Sequence, residues 1–484
     1  MASGPPLVLT LDQGGHGSRA LIFDAGGNVL AMGEAPLRTQ RPTANRVEHA
    51  PLPLLKSLRT AAEVAVGQLP RQSGEITTAA LATQRSTIVC WDRWSGRALS
   101  PVISWQDRRA ARHVKALASH ADGVKQKTGL PLSPHYGASK IAWCLEHIPA
   151  VRLALRERRL VAGPLASFIL ANLLEERPLL ADPVNGSRTL LQDLETGRWS
   201  QQLCALFGIP MDILPPCVPN RYAFGRLHVD GRAIPLKVVT GDQPAALFAL
   251  GEPRSDTAYI NIGTGAFVQC LGRTPAEGLL QSVVWRDAMG TRRVLEATVN
   301  GAGSALSQIG VRLHLSGTAL VAEAEHSLQA AREPPLFLNG VGGLGAPYWQ
   351  PRFRSRFLGR GTAGAKLAAV VESVAFLITV NLERMRAGGA PLQRLAVSGG
   401  LARLDGLCQR LADLNELPAA RPELHEATAL GLAWLAGMDK TPTPALTSFE
   451  PRTDVALHAR YGRWRTALEA ELARAQETGP RAGP

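Results

Sequence analysis

Lysine is scarce in this chain: of its 53 basic residues only eight are Lys, leaving 45 Arg. Aromatic residues make up 5%, and the arginines are neither interleaved with them nor gathered into blocks of five or six like charges. A nucleic-acid groove needs stacking platforms and basic tracts, so no nucleic-acid partner is expected. The net charge of +13 reads instead as a dispersed arginine surface with a mild pull on small anions. Cysteine pairs are also missing. The six thiols (Cys90, Cys144, Cys204, Cys217, Cys270, Cys408) are scattered, with no C-x-x-C and no His/Cys metal spacing, which predicts reduced thiols and a cytoplasmic protein. No uninterrupted apolar run is long enough for a bilayer. The longest helical stretch, Leu367 to Leu382, is broken by Glu372 and Asn381 and predicts a buried core helix, so no membrane partner is expected. The first residues lack the basic region and apolar core of a signal peptide. No G-x-x-x-x-G-K-[ST] occurs, and no G-x-G-x-x-G opens a βαβ unit, which excludes the P-loop and dinucleotide folds.

What is present is a recurring unit of strand, glycine turn and helix. At 484 residues the chain is long enough for two or three domains. Two strand-length apolar runs end in glycine-rich turns half the chain apart: Leu7-Val8-Leu9-Thr10-Leu11-Asp12-Gln13-Gly14-Gly15 and Ala258-Tyr259-Ile260-Asn261-Ile262-Gly263-Thr264-Gly265. Glycine there predicts positive φ and close approach of a ligand to backbone N–H groups. Together the two runs suggest a duplicated fold that grips a polyphosphate. Between and after them the pattern predicts a hairpin about Gly26-Gly27-Asn28, a helix over Leu52–Gln68, and strands at Thr77–Leu81 and Ile88–Trp91. It then predicts a helix-rich segment over Asp107–Asn172 and a buried strand Lys237–Thr240 ahead of a helix Ala245–Leu250. Hairpin strands follow around Ala266–Leu271 and Gln281–Trp285, then a strand Leu395–Ser398 feeding Gly399-Gly400 and a helix Asp405–Leu414. The tail from Glu477 to Pro484 reads as disordered. This is an α/β pattern with sites at the carboxyl ends of strands.

Two acids stand at such ends. Asp12 closes the first strand, where a carboxylate can hold a phosphate-bound Mg²⁺, usually through water; taken alone it is also an ordinary strand-end turn residue. Asp242 lies between a buried strand and a helix, where it could take the proton of a substrate hydroxyl during phosphoryl transfer. The plainer reading of Asp242 is an N-cap for the helix at 245–250.

In order and spacing, a set of motifs resembles the FGGY family of carbohydrate kinases, within the actin, hexokinase and Hsp70-like superfamily. They are Leu11-Asp12-Gln13-Gly14 with Ser18-Arg19-Ala20, Gln84-Arg85-x-Thr87, Trp105-Gln106-x-Arg108-Arg109, Thr128-Gly129-Leu130, Ser139-Lys140, Gly241-Asp242-Gln243, Gly263-Thr264-Gly265, Gly343 to Trp349, Gly399-Gly400, and Thr428-Ala429-Leu430-Gly431. The resemblance implies two RNase H-like α/β domains with a cleft between them, 1–250 for the acceptor and first phosphate loop and 251–484 for the nucleotide. It implies ATP and Mg²⁺ as cofactors and a small polyol or sugar as substrate, and it leaves open a homodimer or homotetramer. By similarity Asp12 lies at the metal and γ-phosphate, and Asp242 is the general base. Gly14, Gly15, His16, Ser18, Arg19, Gly263, Thr264, Gly303 and Gly400 lie at the nucleotide. Arg85, Ser86, Trp105, His135, Asp242, Gln243 and Phe267 surround the acceptor, with Trp105 and Phe267 as its aromatic walls.

The departures from the family pattern carry information too. The first loop reads Gly15-His16-Gly17-Ser18, where the family offers Thr or Ser hydroxyls, and His16 either donates to a phosphate or fills space. Ser86 replaces an acid that reads glycerol hydroxyls, His135 replaces a tyrosine, and Leu404 stands where an Asn near the adenine is expected. A smaller, uncharged residue 86 predicts an acceptor larger than glycerol, such as a tetritol, pentitol or pentulose. The alternative is a catalytically weak relative serving as a sugar or nucleotide sensor.

Overall fold

Residues 7–13 form a strand whose side chains are buried on both faces, which is how a near-continuous apolar run behaves in the middle of a sheet. In the computed structural model, which describes residues 6–70, 73–330, 333–424, 426–438 and 444–477, this strand is the fourth of six. The order is Arg221–Val229, Arg232–Gly241, Ile76–Thr83, Leu7–Gln13, Gly17–Phe23, Val29–Pro36. The strand Ile76–Thr83 pairs in parallel with both Leu7–Gln13 and Arg232–Gly241. The outer pairs are antiparallel, and the expected hairpin joins Gly17–Phe23 to Val29–Pro36. The helix Pro51–Gln68 begins with proline at its N-terminus and buries Leu54, Leu55, Leu58, Ala61, Ala62, Ala65 and Val66, a stripe at three- and four-residue spacing. The helix-rich segment 107–172 forms as expected but also holds a strand, Leu160–Pro164, in a second sheet of five. The tail from residue 478 lies outside the described residues.

The chain divides into two units by packing: residues 1–253 with 281–293 and 425–443, and residues 254–280 with 294–424 and 444–484. The second unit repeats the logic of the first. The strand Thr257–Ile262 pairs in parallel with Arg394–Ser398, which pairs in parallel with Ala419–Pro422, and the latter pairs antiparallel with Leu446–Phe449. On the other side, Thr257–Ile262 pairs with Ala266–Leu271, and that strand pairs with residues 294–299. Both expected hairpin strands form, each with a different neighbour: Ala266–Leu271 folds back on Thr257–Ile262, and Leu280–Asp287 lies beside Gly290–Val299. Periodicity finds strands but not their neighbours. The helix Ala363–Ala387 is long and apolar enough to cross a membrane, yet 78% of its most apolar window is buried. It is the core helix of the second unit, as the sequence predicts for Leu367–Leu382.

Candidate functional site

The register of the first sheet brings the two acids to one edge. Asp12 and Thr240 both stand opposite Ala82 on the shared central strand, and Asp242 follows two residues later. Two strand spacings are about 10 Å, so the carboxylates sit on the same carboxyl edge within electrostatic reach of each other. Asp12 bears this out. Burial and then the Asp242 charge push its carboxyl up to about 7, with Arg19 opposing and Glu426 adding to the rise. Its Oδ1 is buried without a hydrogen-bond partner in the protein. A buried, unpartnered carboxylate oxygen is costly unless a proton or a cation meets it.

Asp242 opens the helix Asp242–Leu247, three residues earlier than the sequence pattern suggests, and the N-cap is Gly241. Asp242 is therefore not a helix cap. Its Oδ1 accepts the Gln243 N–H at 2.8 Å and lies 4.0 Å from Arg85 Nε. Burial raises its pKa, while Arg85 and that N–H pull it back part of the way. Its side chain keeps 34% of its surface, so a substrate hydroxyl can reach it.

Two of the acceptor candidates, Arg85 and Gln243, lie directly beside Asp242. An Arg85 guanidinium nitrogen donates to Gln243 Oε1. Ser86 has φ 60°, a left-handed conformation that a serine adopts only under constraint, and its Oγ is buried without a partner. Trp105 stands edge-on to His135 with ring centroids 5.8 Å apart. Burial, then Lys140, Arg108, Arg188 and Arg85, hold the His135 imidazole neutral. A hydrogen-bonded chain links this pocket to the first strand. Trp105 N–H donates to Thr87 Oγ1 (3.1 Å), Thr87 to Gln84 Oε1 (3.2 Å), and Gln84 Nε2 to Gln13 Oε1 (3.2 Å).

The first phosphate turn differs from expectation in two respects. None of Gly14, Gly15 and Gly17 has positive φ. Gly17 is there for close packing, since a Cβ would come within 2.9 Å of Ala35 O, whereas a Cβ on Gly15 would meet nothing within 4 Å. Ser18 faces away from the turn, with its Oγ 2.8 Å from Ser57 Oγ on the helix Pro51–Gln68. Strand alternation puts Ser18 inward and its neighbour Arg19 outward. Ser18 therefore has no hydroxyl free for a nucleotide. His16 is exposed, and Arg19 bonds both carboxylate oxygens of Glu426 (3.0 and 3.1 Å) and pairs with Glu34 at 2.8 Å. Glu426 is not among the residues the sequence singles out; it lies two positions before the Thr428-to-Gly431 motif but 407 positions from its partner Arg19. Thr428 Oγ1 reaches Asp242 O at 3.4 Å. Gly431 lets its helix touch the one Asp242 opens, since a Cβ there would fall 1.8 Å from Ala245 O.

In the second unit Gly263, Thr264, Gly303, Gly399 and Gly400 gather at the carboxyl ends of two parallel strands. Gly303 N–H donates to Gly263 O (2.9 Å), and Ala302 and Ser304 N–H donate to Thr264 O (3.2 and 3.0 Å). Of the glycines in this group, Gly399 is the one that needs positive φ (96°); Gly263, Gly265, Gly303 and Gly400 do not. Gly400 faces open space. Phe267 is half-buried on the strand Ala266–Leu271, beside this cluster. Leu404 is fully buried in the core, so its side chain does not face a ligand.

Residues 7–249 match the N-terminal domain model of the FGGY family of carbohydrate kinases, and residues 258–439 match its C-terminal domain model. A glycerol kinase from Methylibium petroleiphilum is 34% identical over 452 residues, covering 89% of this chain and 90% of its own. Plasmodium falciparum glycerol kinase with ADP superposes with a TM-score of 0.88 at 21% identity, covering 96% and 98% of the two chains. Xylulose kinase from Rhodospirillum rubrum gives 0.85 at 20%, covering 97% and 99%. These superpositions establish the two-domain α/β fold of that family. Nothing among the comparisons favours a sensor.

Proposed function

The chain belongs to the FGGY family of carbohydrate kinases and is a phosphotransferase with an alcohol acceptor; from that premise we propose that it transfers the γ-phosphoryl of ATP to a hydroxyl of a small polyol or sugar. The observation that carries the reading is the placement of Asp12 and Asp242 on one strand edge, coupled closely enough for one charge to lift the other's pKa. Asp242 is the general base. Its raised pKa brings it nearer the range where proton acceptance is efficient. It takes the acceptor's proton as that oxygen bonds to phosphorus, and the bond to the ADP oxygen breaks. Arg85 and Gln243 orient the acceptor's hydroxyls, and Trp105 packs its C–H face.

On the nucleotide side we assign, within the first unit, Asp12, Gly14, Gly15, His16 and Arg19; taken by itself, the second unit carries the motif residues Gly263, Thr264, Gly303 and Gly400. Ser18 is left out because its hydroxyl is engaged by Ser57. The unpartnered Asp12 Oδ1 fits a divalent cation. Among the described residues no cluster of three or more His, Cys, Asp or Glu forms a metal site, so Asp12 would hold Mg²⁺ together with water and the nucleotide's own oxygens. Bound there, Mg²⁺ offsets charge on the polyphosphate. The division into 1–250 for the acceptor and the first phosphate loop and 251–484 for the nucleotide remains our functional reading, with Glu426 and Thr428 added to the first. A cytoplasmic location fits the six cysteines, all of them unpaired.

The acceptor we propose has four to six carbons. Ser86 offers a short, unpartnered hydroxyl where the family's glycerol-reading acid stands, and losing a charged hydrogen bond costs about 1.5–3 kcal/mol. The test is ADP release with ATP and Mg²⁺ against glycerol, tetritols, pentitols and pentuloses. A larger acceptor should exceed glycerol in kcat/KM. Glycerol outperforming every other acceptor would overturn the size argument, and no turnover with any acceptor would overturn the kinase reading.

A further inference from the structure

We propose that Lys140 is the positioning residue of the acceptor pocket, a single buried ammonium that locks the three loops carrying Ser86, Trp105 and His135 to one another. Lys140 lies on the helix Gly137–His147 and is 0% exposed. Its Nζ donates to Ser86 O at 2.8 Å, Ser104 O at 2.8 Å and His135 O at 2.7 Å. An ammonium has three N–H donors and no acceptor, so these three carbonyls account for all of its donors. Two of them belong to acceptor residues, and the third immediately precedes Trp105. None belongs to the turn from Asp12 to Arg19.

The loops come from separate stretches of chain, with Ser86 and Ser104 lying 54 and 36 residues from the lysine. The Ser86 and Ser104 loops flank an antiparallel strand contact, Ile88 opposite Ile103, and Lys140 adds the tie from both of them to the His135 loop. Ser86 is the one that most needs holding, because its left-handed backbone persists only where the surroundings fix it. Its carbonyl is the atom Lys140 grips. With Ser86 carrying a short side chain, the wall of the pocket there is largely backbone, and its position sets the room available to the acceptor. An error of about 1 Å in such a wall is enough to change rates severely. Lys140 itself touches no substrate in this reading; it acts through the residues it holds.

The inference rests on the kinase reading, and the experiment separates the two. The wild type, Lys140→Met and Lys140→Arg are assayed for ADP release with glycerol, erythritol, xylitol, ribitol and xylulose, and ADP binding is measured by calorimetry. Lys140→Met should raise the KM of the wild type's best acceptor at least tenfold while ADP affinity stays within twofold. Lys140→Arg keeps the charge and donors on a longer stem, so it should recover part of that loss and alter the order of preference among acceptors. If Lys140→Met does not fold, Lys140→Arg decides alone: a changed acceptor order supports the clamp, and the wild-type order overturns it. An acceptor KM within twofold of wild type in Lys140→Met, or an equal loss of ADP affinity, also overturns it. A wild-type chain that phosphorylates nothing brings down the kinase reading and the clamp together, whereas an active wild type with an insensitive Lys140 brings down the clamp only.

Discussion

Asp242→Asn keeps the shape of the side chain and removes its ability to take a proton. Its ion pair with Arg85 spans 4.0 Å, and the carboxylate is 34% exposed, so solvent screens it. Such a pair is worth about 0–1 kcal/mol, and Tm should move by no more than about 3 °C. The chemical step is a different matter. Loss of a positioned general base costs about 10²–10⁴ in rate, or roughly 3–5 kcal/mol of barrier. The substitution also removes the charge that helps lift Asp12, which leaves Asp12 more fully ionised at neutral pH and nucleotide affinity undiminished. The assay pairs steady-state ADP release with calorimetric binding of a non-hydrolysable ATP analogue. The expected result is kcat down at least a hundredfold with analogue affinity within about threefold. A variant whose kcat stays within tenfold of wild type would refute the role of base, and so would one that loses analogue binding as steeply as turnover.

Asp12 predicts a pH signature. Its carboxyl rises from 3.8 to about 7 in the folded chain, so the native state holds a proton that the unfolded chain has already released. Stability therefore falls as pH rises from about 4 to about 7 and levels off above; denaturant titrations should show Asp12→Asn gaining on wild type across that window, and a constant difference would contradict it. Binding of Mg²⁺ and ATP near pH 6 should release a proton from Asp12 in addition to any shed by the nucleotide's own γ-phosphate, read as a larger buffer-dependent heat than Asp12→Asn gives. Gly431→Ala places a Cβ 1.8 Å from Ala245 O and should cost about 1–3 kcal/mol or more, visible as a lowered Tm with reduced kcat. Ser18→Ala removes the contact with Ser57 at a cost of about 0.5–1.5 kcal/mol, with KM for ATP within twofold of wild type; a tenfold rise would return Ser18 to the nucleotide.

The sequence conveys this site unevenly, for physical reasons. Asp12 and Asp242 are legible because an apolar strand that stops at an acid and a glycine is a local pattern, and parallel pairing then puts both at the same edge. Ser18 was assigned to the nucleotide because a motif gives position along the chain but not which face of the strand a residue occupies. The turn glycines illustrate a similar ambiguity. At Gly17 and Gly303 the need is for closeness to another backbone, while at Gly399 it is for positive φ, and glycine serves both. Glu426 was invisible because its partner Arg19 lies at the other end of the chain. Lys140 was visible as part of a motif, yet its three carbonyl partners exist only once three loops have folded around it.

The helix Ala427–Leu435 packs with the first unit although it follows most of the second in sequence. Thr428 meets the turn of Asp242 from 186 positions downstream. On the ribosome, the unit that carries Asp242 therefore waits for its last helix until nearly the whole polypeptide has emerged. A chain that stops anywhere before residue 426 lacks both Glu426 and Thr428, so even a premature stop late in the message removes partners of Arg19 and Asp242, residues encoded in its first half.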